Sequence, residues 1–211
     1  MPTLVLLIRH ALTDTAGKKL TGWDPGVHLN DRGREQAEQV AERLAPLPIR
    51  AVYSSTLERC VETAAPLARA KGLAVETTDG LRDVHYGAWT GRNIAPLRKT
   101  KLWSKLVASP GDARFPQGEA LRETQARVVA EVSALVDRHP RQVIAVFSHA
   151  DPIKLALAHY LGQHIDLFNR LVVAPASVSA VAVTSGAPHV LRVNDTGSLA
   201  DLVPPRPKRG R

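Results

Sequence analysis

The chain has 211 residues, 44% of them hydrophobic, 4% aromatic and 23% charged, with 28 Lys and Arg against 20 Asp and Glu and a single cysteine. That length suits one domain with a substantial core, and the lone Cys60 excludes a disulfide framework or a cysteine-based zinc site and suits a reducing cytoplasm. The N-terminus has neither a basic start nor an apolar run long enough for a signal peptide or a membrane span, so a cytoplasmic protein is expected. Of the net charge of +8, four charges sit in the last eight residues, Pro204-Pro205-Arg206-Pro207-Lys208-Arg209-Gly210-Arg211, leaving +4 (8 − 4) for the rest. Residues 204–211 read as a disordered, basic, proline-rich tail behind a single domain over 1–203. Scarce aromatics offer no base-stacking platform, which argues against a nucleic-acid partner.

Leu4-Val5-Leu6-Leu7-Ile8 is an apolar run expected to form a strand buried on both faces, and it stops at Arg9-His10. An arginine and a histidine there must emerge at the strand's carboxyl edge, where open α/β sheets place ligands. A polar loop follows over 13–29, with Lys18 and Lys19 read as a solvated turn. Asn30 is a good N-cap for a helix whose Ala37, Val40, Ala41 and Leu44 share a face, weakened by Gly33 and ended by Pro46 and Pro48. Ala51-Val52-Tyr53 reads as a second strand closed by Ser54-Ser55. Ser55 or Thr56 is expected to cap a helix over 57–71, placing Arg59 in its first turn, again just past a strand's carboxyl end. Residues 73–76 suggest a third strand.

The loop Leu81-Arg82-Asp83-Val84-His85-Tyr86-Gly87-Ala88-Trp89-Thr90-Gly91 mixes titratable groups, aromatics and glycines, unusual for a plain connector. A helix is expected near 94–107, then a loop containing Pro110, Gly111, Pro116 and Gly118. An amphipathic helix spans 119–139, carrying Leu121, Val128, Val129, Val132, Leu135 and Val136 on its apolar side and stopped by Pro140. Val143-Ile144-Ala145-Val146-Phe147 is a further buried strand ending at Ser148-His149, and a helix over 150–161 closes at Gly162. Late strands are expected at Val178–Thr184 and His189–Val193. This alternation predicts an α/β fold: a three-layer αβα sandwich with a mainly parallel central sheet. In such a sheet the strand ends share one edge, so Arg9, His10, Arg59 and His149 can converge.

Two guanidinium forks suit phosphoryl oxygens and the charge that builds on them during transfer. A neutral imidazole among them can attack phosphorus, and a second histidine can donate to the transferring oxygens. Asp83 is the natural candidate for the acid that protonates the leaving oxygen and later activates water.

These residues carry a resemblance. Arg9-His10-Ala11-Leu12-Thr13 resembles the Arg-His-Gly-x-Thr signature of the histidine phosphatase (phosphoglycerate-mutase-like) superfamily. Residues Ser54 to Ala64 are similar to its Ser-Ser-x-Leu-x-Arg-Ala-x-x-Thr-Ala block, residues 81–91 to its acid loop, and Ser148-His149-Ala150 to its late Ser-His-Gly. The match runs in order from residue 4 to about 160. The resemblance implies a phosphoglycerate-mutase-like fold, His10 as the nucleophile that forms phosphohistidine, Arg9, Arg59 and His149 as phosphate ligands, and Asp83 as proton donor. Thr13 and Ala150, at the ends of their motifs, are taken as further substrate-binding positions. A small phosphorylated substrate is implied, with no metal or organic cofactor. The run Ser-His-Ala-Asp-Pro-Ile-Lys (148–154) further resembles an actinobacterial phosphomutase subgroup.

The chain departs from the family pattern in places. Ala11 and Ala150 stand where glycine is usual, Ala16 where many members have asparagine, and Asp83 where glutamate is more frequent. Val84 follows the acid, whereas cofactor-dependent phosphoglycerate mutases have arginine there. Only 66 residues separate Asp83 from His149 (149 − 83), without the mutases' longer insertion. Both features favour hydrolysis of a phosphomonoester over mutase transfer, with a phosphomutase as the alternative. A non-catalytic phosphate-binding regulatory module is the alternative of another class, and a metal hydrolase lacks HExxH-like spacing. Oligomeric state, including a dimer, stays open.

Other candidates have plainer readings. His85 and Tyr86 read as loop packing, with substrate contact the lesser alternative. His28, His139, His159, His164 and His189 read as surface or helix-end residues, and Arg82 and Arg92 as solvated. Asp151 and Lys154 read as a helix cap and ion pair as readily as functional groups. The tryptophans read as core or loop anchors.

Overall fold

The computed structural model describes residues 2–184 and 187–197; the expected tail at 204–211 lies outside the described residues. Six strands form one sheet: β1 (Thr3–Arg9), β2 (Ile49–Ser55), β3 (Val75–Thr78), β4 (Val143–Ser148), β5 (Val178–Val183) and β6 (His189–Asp195), in the order β3-β2-β4-β1-β5-β6. The β3, β2, β4 and β1 neighbours are parallel, and β5 pairs antiparallel with both β1 and β6. The sheet is therefore mixed and mainly parallel, flanked by helices, as expected.

Alternation along the central strands divides the core. Leu6 and Ile8 of β1 and Phe147 of β4 pack towards α1 (Asp31–Leu44) and α2 (Glu58–Lys71), with Val40 and Leu67. Val5, Leu7, Ile144 and Val146 pack on the other face towards α5 (Leu121–Arg138) and α6 (Ala150–Tyr160), with Val132, Leu135 and Ile153. Strands covered on both faces need no polar alternation, which is why β1 and β4 read as unbroken apolar runs. Each fully buried Leu or Ile contributes roughly 1.5–3 kcal/mol.

The departures from expectation have local causes. The third strand starts two residues late because Gly72 is left-handed (φ 63°) and Leu73 N still bonds back to Ala68 O. The expected 94–107 helix is two: α3 (Ile94–Leu97) and α4 (Lys101–Ala108). Thr100 Oγ1 accepts from Trp103 N and begins the second afresh. The α2 N-cap is Leu57, without a side-chain bond from its own residue; Ser55 Oγ accepts from Leu57 N at 3.3 Å, but Thr56 Oγ1 is engaged by Arg82 instead. Among the described residues no helix is long and apolar enough to cross a membrane.

Parallel pairing brings three strand ends to one edge. The register sets Arg9 beside Ser148 and Ser54 beside Phe147, so His10, Ser55 and His149 leave the sheet together. The chain then turns from β1 into α1 over Gly33, where a Cβ would stand 2.1 Å from Leu12 O. The helix-weakening glycine is thus set by close backbone approach. Gly33→Ala is expected to cost about 1–3 kcal/mol despite alanine's better helix propensity, through forced separation of α1 from the 11–13 backbone. Denaturant unfolding checks this, and equal or greater stability would refute it.

Candidate active site

The site is built on those strand ends. His10 is 7% exposed, and its Nδ1 lies 2.8 Å from Ala11 O. A carbonyl oxygen only accepts, so Nδ1 carries the proton and Nε2 presents its lone pair. Burial first, then the charges of Arg59 and Arg9, push the His10 pKa well below the usual histidine value. The imidazole is therefore neutral near pH 7. Thr63 Oγ1 fixes the turn beneath it, accepting from Ala11 N and donating to Arg59 O.

Arg9 donates through Nη1 to Val173 O at 2.7 Å, while its buried Nε makes no hydrogen bond among the described residues. Arg59 is 1% exposed; Nη2 donates to Gly22 O at 2.7 Å and lies 3.5 Å from Asp83 Oδ2, leaving Nε and Nη1 buried without a partner among the described residues. Gly22 has φ +48°, and a Cβ there would meet the Tyr86 ring at 2.8 Å. Glycine at 22 therefore lets the loop 13–29 reach in to hold Arg59.

His149 is also 1% exposed, its ring centroid 5.2 Å from that of His10. Its Nε2 is 2.9 Å from Ser55 Oγ and 3.4 Å from Cys60 Sγ. Burial, then Arg59 and His10, hold His149 neutral as well, and the 3.8 Å approach of its Nδ1 to Asp83 Oδ2 is not an ion pair. Burial pushes the Cys60 thiol up, so it fills space beside His149 as a neutral group. The Asp83 carboxyl is pushed up to about 6 by burial, against the opposing pull of Arg59.

Of the expected site residues, Arg9, His10, Thr13, Asp83 and Ala150 line one cleft of about 200 Å³, and Arg59 and His149 lie directly behind its wall. Neither Ala11 nor Ala150 has positive φ, so the usual glycines are replaced without backbone strain; Ala150 opens α6. His85 packs on Trp23 as expected, with centroids 4.6 Å apart. Arg82 is not simply solvated: its Nε bonds Thr56 Oγ1 and Asp79 Oδ1. Tyr86 is not merely loop packing, since it lines the cleft and donates to Asp151 Oδ2 at 3.3 Å. Asp151 and Lys154 form the expected ion pair at 3.2 Å, and Asp151 also faces the cleft.

Sequence reasoning missed Arg127. From α5 it donates to the carbonyls of Gly80, Arg82 and Asp83 at 3.0–3.1 Å and makes a two-pronged pair with Glu119 at 2.9 Å. Trp23 Nε1 donates to the same Asp83 carbonyl at 2.6 Å. Arg127 falls on the polar side of an amphipathic helix, where sequence alone suggests solvent; only a count of the acid loop's unpaired carbonyls could have pointed to it. Among the described residues no cluster of three or more His, Cys, Asp or Glu side chains could hold a metal ion.

This edge gathers two arginines, two neutral histidines and a raised carboxyl, the kinds of group that phosphoryl transfer uses. The profile of the histidine phosphatase superfamily (branch 1) matches residues 5–196, and the chain belongs to that superfamily. It is 27% identical over 202 residues to phosphoserine phosphatase 1 of Hydrogenobacter thermophilus, covering 94% of this chain and 95% of that protein. It is 31% identical over 207 residues to a bifunctional protein of Mycobacterium tuberculosis, covering 94% of this chain but spanning only 55% of the relative. Among solved structures, Bacillus stearothermophilus YhfR superposes with TM-score 0.86 at 25% identity, over 92% of this chain and 98% of that one. A mycobacterial glucosyl-3-phosphoglycerate phosphatase shares the fold, with TM-score 0.83 at 22% identity over 93% and 100% of the two chains. The protein is thus a phosphoryl-transfer enzyme of this superfamily.

Removing Arg127 would leave the loop carbonyls and the half-buried Glu119 unpaired. Arg127→Ala is expected to cost about 2–4 kcal/mol of stability and to lower kcat more than it raises KM. Thermal unfolding and steady-state kinetics check both, and an unchanged kcat would sever Arg127 from the acid loop's function.

Proposed function

We propose that the enzyme hydrolyses a small phosphomonoester through a phosphohistidine on His10. The observation that carries this reading is a neutral His10 lining the cleft beside Arg9, with its Nδ1 held by Ala11 O and the buried Arg59 close behind. Arg9 and Arg59 bring donors that no group among the described residues satisfies, suited to a phosphate dianion. Thr13 and Ala150 lie on the same wall to contact substrate. In the first step Nε2 attacks phosphorus, the P–O bond to the ester oxygen breaks, and Asp83 gives that oxygen its proton. His149 and the arginines stabilise the equatorial oxygens throughout. In the second step the Asp83 carboxylate takes a proton from water, whose oxygen attacks phosphorus and frees the imidazole.

Water as acceptor is favoured over a second substrate hydroxyl by Val84, which is fully buried and cannot clamp a carboxylate as an arginine at that position would. The 148–154 run and the 31% identical mycobacterial relative support a place in the actinobacterial subgroup. The lone, buried Cys60 supports a cytoplasmic setting, and the single six-stranded sheet supports a single catalytic domain.

His10→Ala is expected to lower turnover at least about 10³-fold and to abolish transfer of label from a radioactive phosphomonoester to protein under alkaline quench, where phosphohistidine survives. Labelling that persists in this variant would move the nucleophile elsewhere. Asp83 must be protonated to act as acid, so kcat/KM should fall as pH rises through about 6. The adjacent dianion favours the neutral carboxyl, so the limb in kcat should lie higher. Asp83→Asn should erase that limb and cost about 10²–10⁴-fold with alkyl esters. An unaltered pH profile would remove Asp83 from the role.

A further inference from the structure

The catalytic cleft is not the only cavity at this edge. A second one, of about 120 Å³, lies under α4 and is walled by Trp103, Leu106, Phe115 and Phe168. The two meet at Leu20, Tyr86 and Asp151, each of which lines both. An apolar cavity of about 150 Å³ accepts benzene, so this one has room for a short alkyl group or most of a ring. At the junction stands the Asp151 carboxylate. It accepts from Tyr86 Oη at 3.3 Å and Lys154 Nζ at 3.2 Å. Both bonds are long, and two of its roughly four lone-pair positions stay unused. A leaving group entering from the phosphate end passes Asp83 and Asp151, two carboxylates; the opposing cleft lysine, Lys19, is exposed at the rim.

We infer that Asp151 and the α4 cavity form the leaving-group subsite. It selects esters whose alcohol carries an ammonium or hydroxyl donor next to an apolar body, and it rejects alcohols that bring a carboxylate to the same place. The inference rests on the phosphomonoesterase reading above and names the substrate class for that site. Asp151 reads the donor, and the cavity takes the apolar part, displacing poorly bonded water. The charge pattern opposes phosphoglycerate-like substrates, since an extra substrate carboxylate meets Asp151, and the half-buried Lys154 beside it is already engaged by the Asp151 carboxylate at 3.2 Å.

The test is a series of kcat/KM values with 2-amino-3-phenylpropyl phosphate, O-phosphoserine, 3-phosphoglycerate and propyl phosphate. The amino phenylpropyl ester should lead, with 3-phosphoglycerate poorer by about tenfold or more. Asp151→Asn should lower the ratio of the amino ester to propyl phosphate by about tenfold and raise the ratio of 3-phosphoglycerate to propyl phosphate. Leu106→Trp, which fills the cavity from its wall, should lower the first ratio without raising the second. Both variants are to be checked for wild-type-like cooperative unfolding. Hydrolysis of propyl phosphate with 3-phosphoglycerate preferred, or with ratios unmoved by both variants, overturns the subsite and spares the phosphatase. Failure of the wild type on every ester, propyl phosphate included, overturns both.

Discussion

A guanidinium that is 1% exposed is the constraint from which this site follows. Removing such a cation from water is expensive, and its desolvation must be met by acceptors. Among the described residues Arg59 finds only Gly22 O at 2.7 Å and Asp83 Oδ2 at a loose 3.5 Å. That incomplete pairing keeps Arg59 available to a dianion while still fixing it in place. It also explains the loop over 13–29, whose left-handed Gly22 reaches in to supply the carbonyl. With Arg9 placed similarly against Val173 O, two fixed cations stand beside two imidazoles that burial, aided by the cations' charge, keeps neutral. His10, the proposed nucleophile, and its electrostatic surroundings are therefore one device.

The acid has the opposite problem. Its loop has no regular secondary structure around residue 83, so its carbonyls must find donors. Arg127 answers for three of them from below, and Glu119 locks Arg127 in turn while accepting from His85 N and Thr124 Oγ1. The chain thus couples the start of α5 to the acid loop through one planar fork, geometry a lysine could not reproduce. Because the loop is anchored through its backbone, the Asp83 side chain is left for the cleft.

Much of this was legible beforehand because two periodicities and four motifs agree. Unbroken aliphatic runs in β1 and β4 mark strands covered on both faces, and the Arg-His and Ser-His pairs mark their common edge. The sequence could not reveal groups whose meaning is set by partners distant in the chain. Arg127 sits on a polar helix face like any solvated residue until the carbonyls of 80–83 are seen beneath it. Tyr86 and Asp151, 65 residues apart, gain their role only when α6 brings one against the other. Helix ends near the site were misjudged for a related reason. Ser55 and Thr56 have good capping chemistry, but His149 and Arg82 also claim their hydroxyls.

The substitution of aspartate for the family's more frequent glutamate follows from the same anchoring. A carboxyl one methylene shorter reaches the cleft only if its backbone stands closer. Here the Asp83 carbonyl is gripped by Trp23 Nε1 at 2.6 Å and Arg127 Nη2 at 3.1 Å, and Oδ1 is turned back to accept from Val84 N at 2.9 Å. Oδ2 is the oxygen that remains for chemistry, within 3.5 Å of Arg59 and 3.8 Å of His149. A short carboxyl loses fewer rotamers when ordered, so the acid is held by the donors that fix its backbone rather than by contacts along its own length.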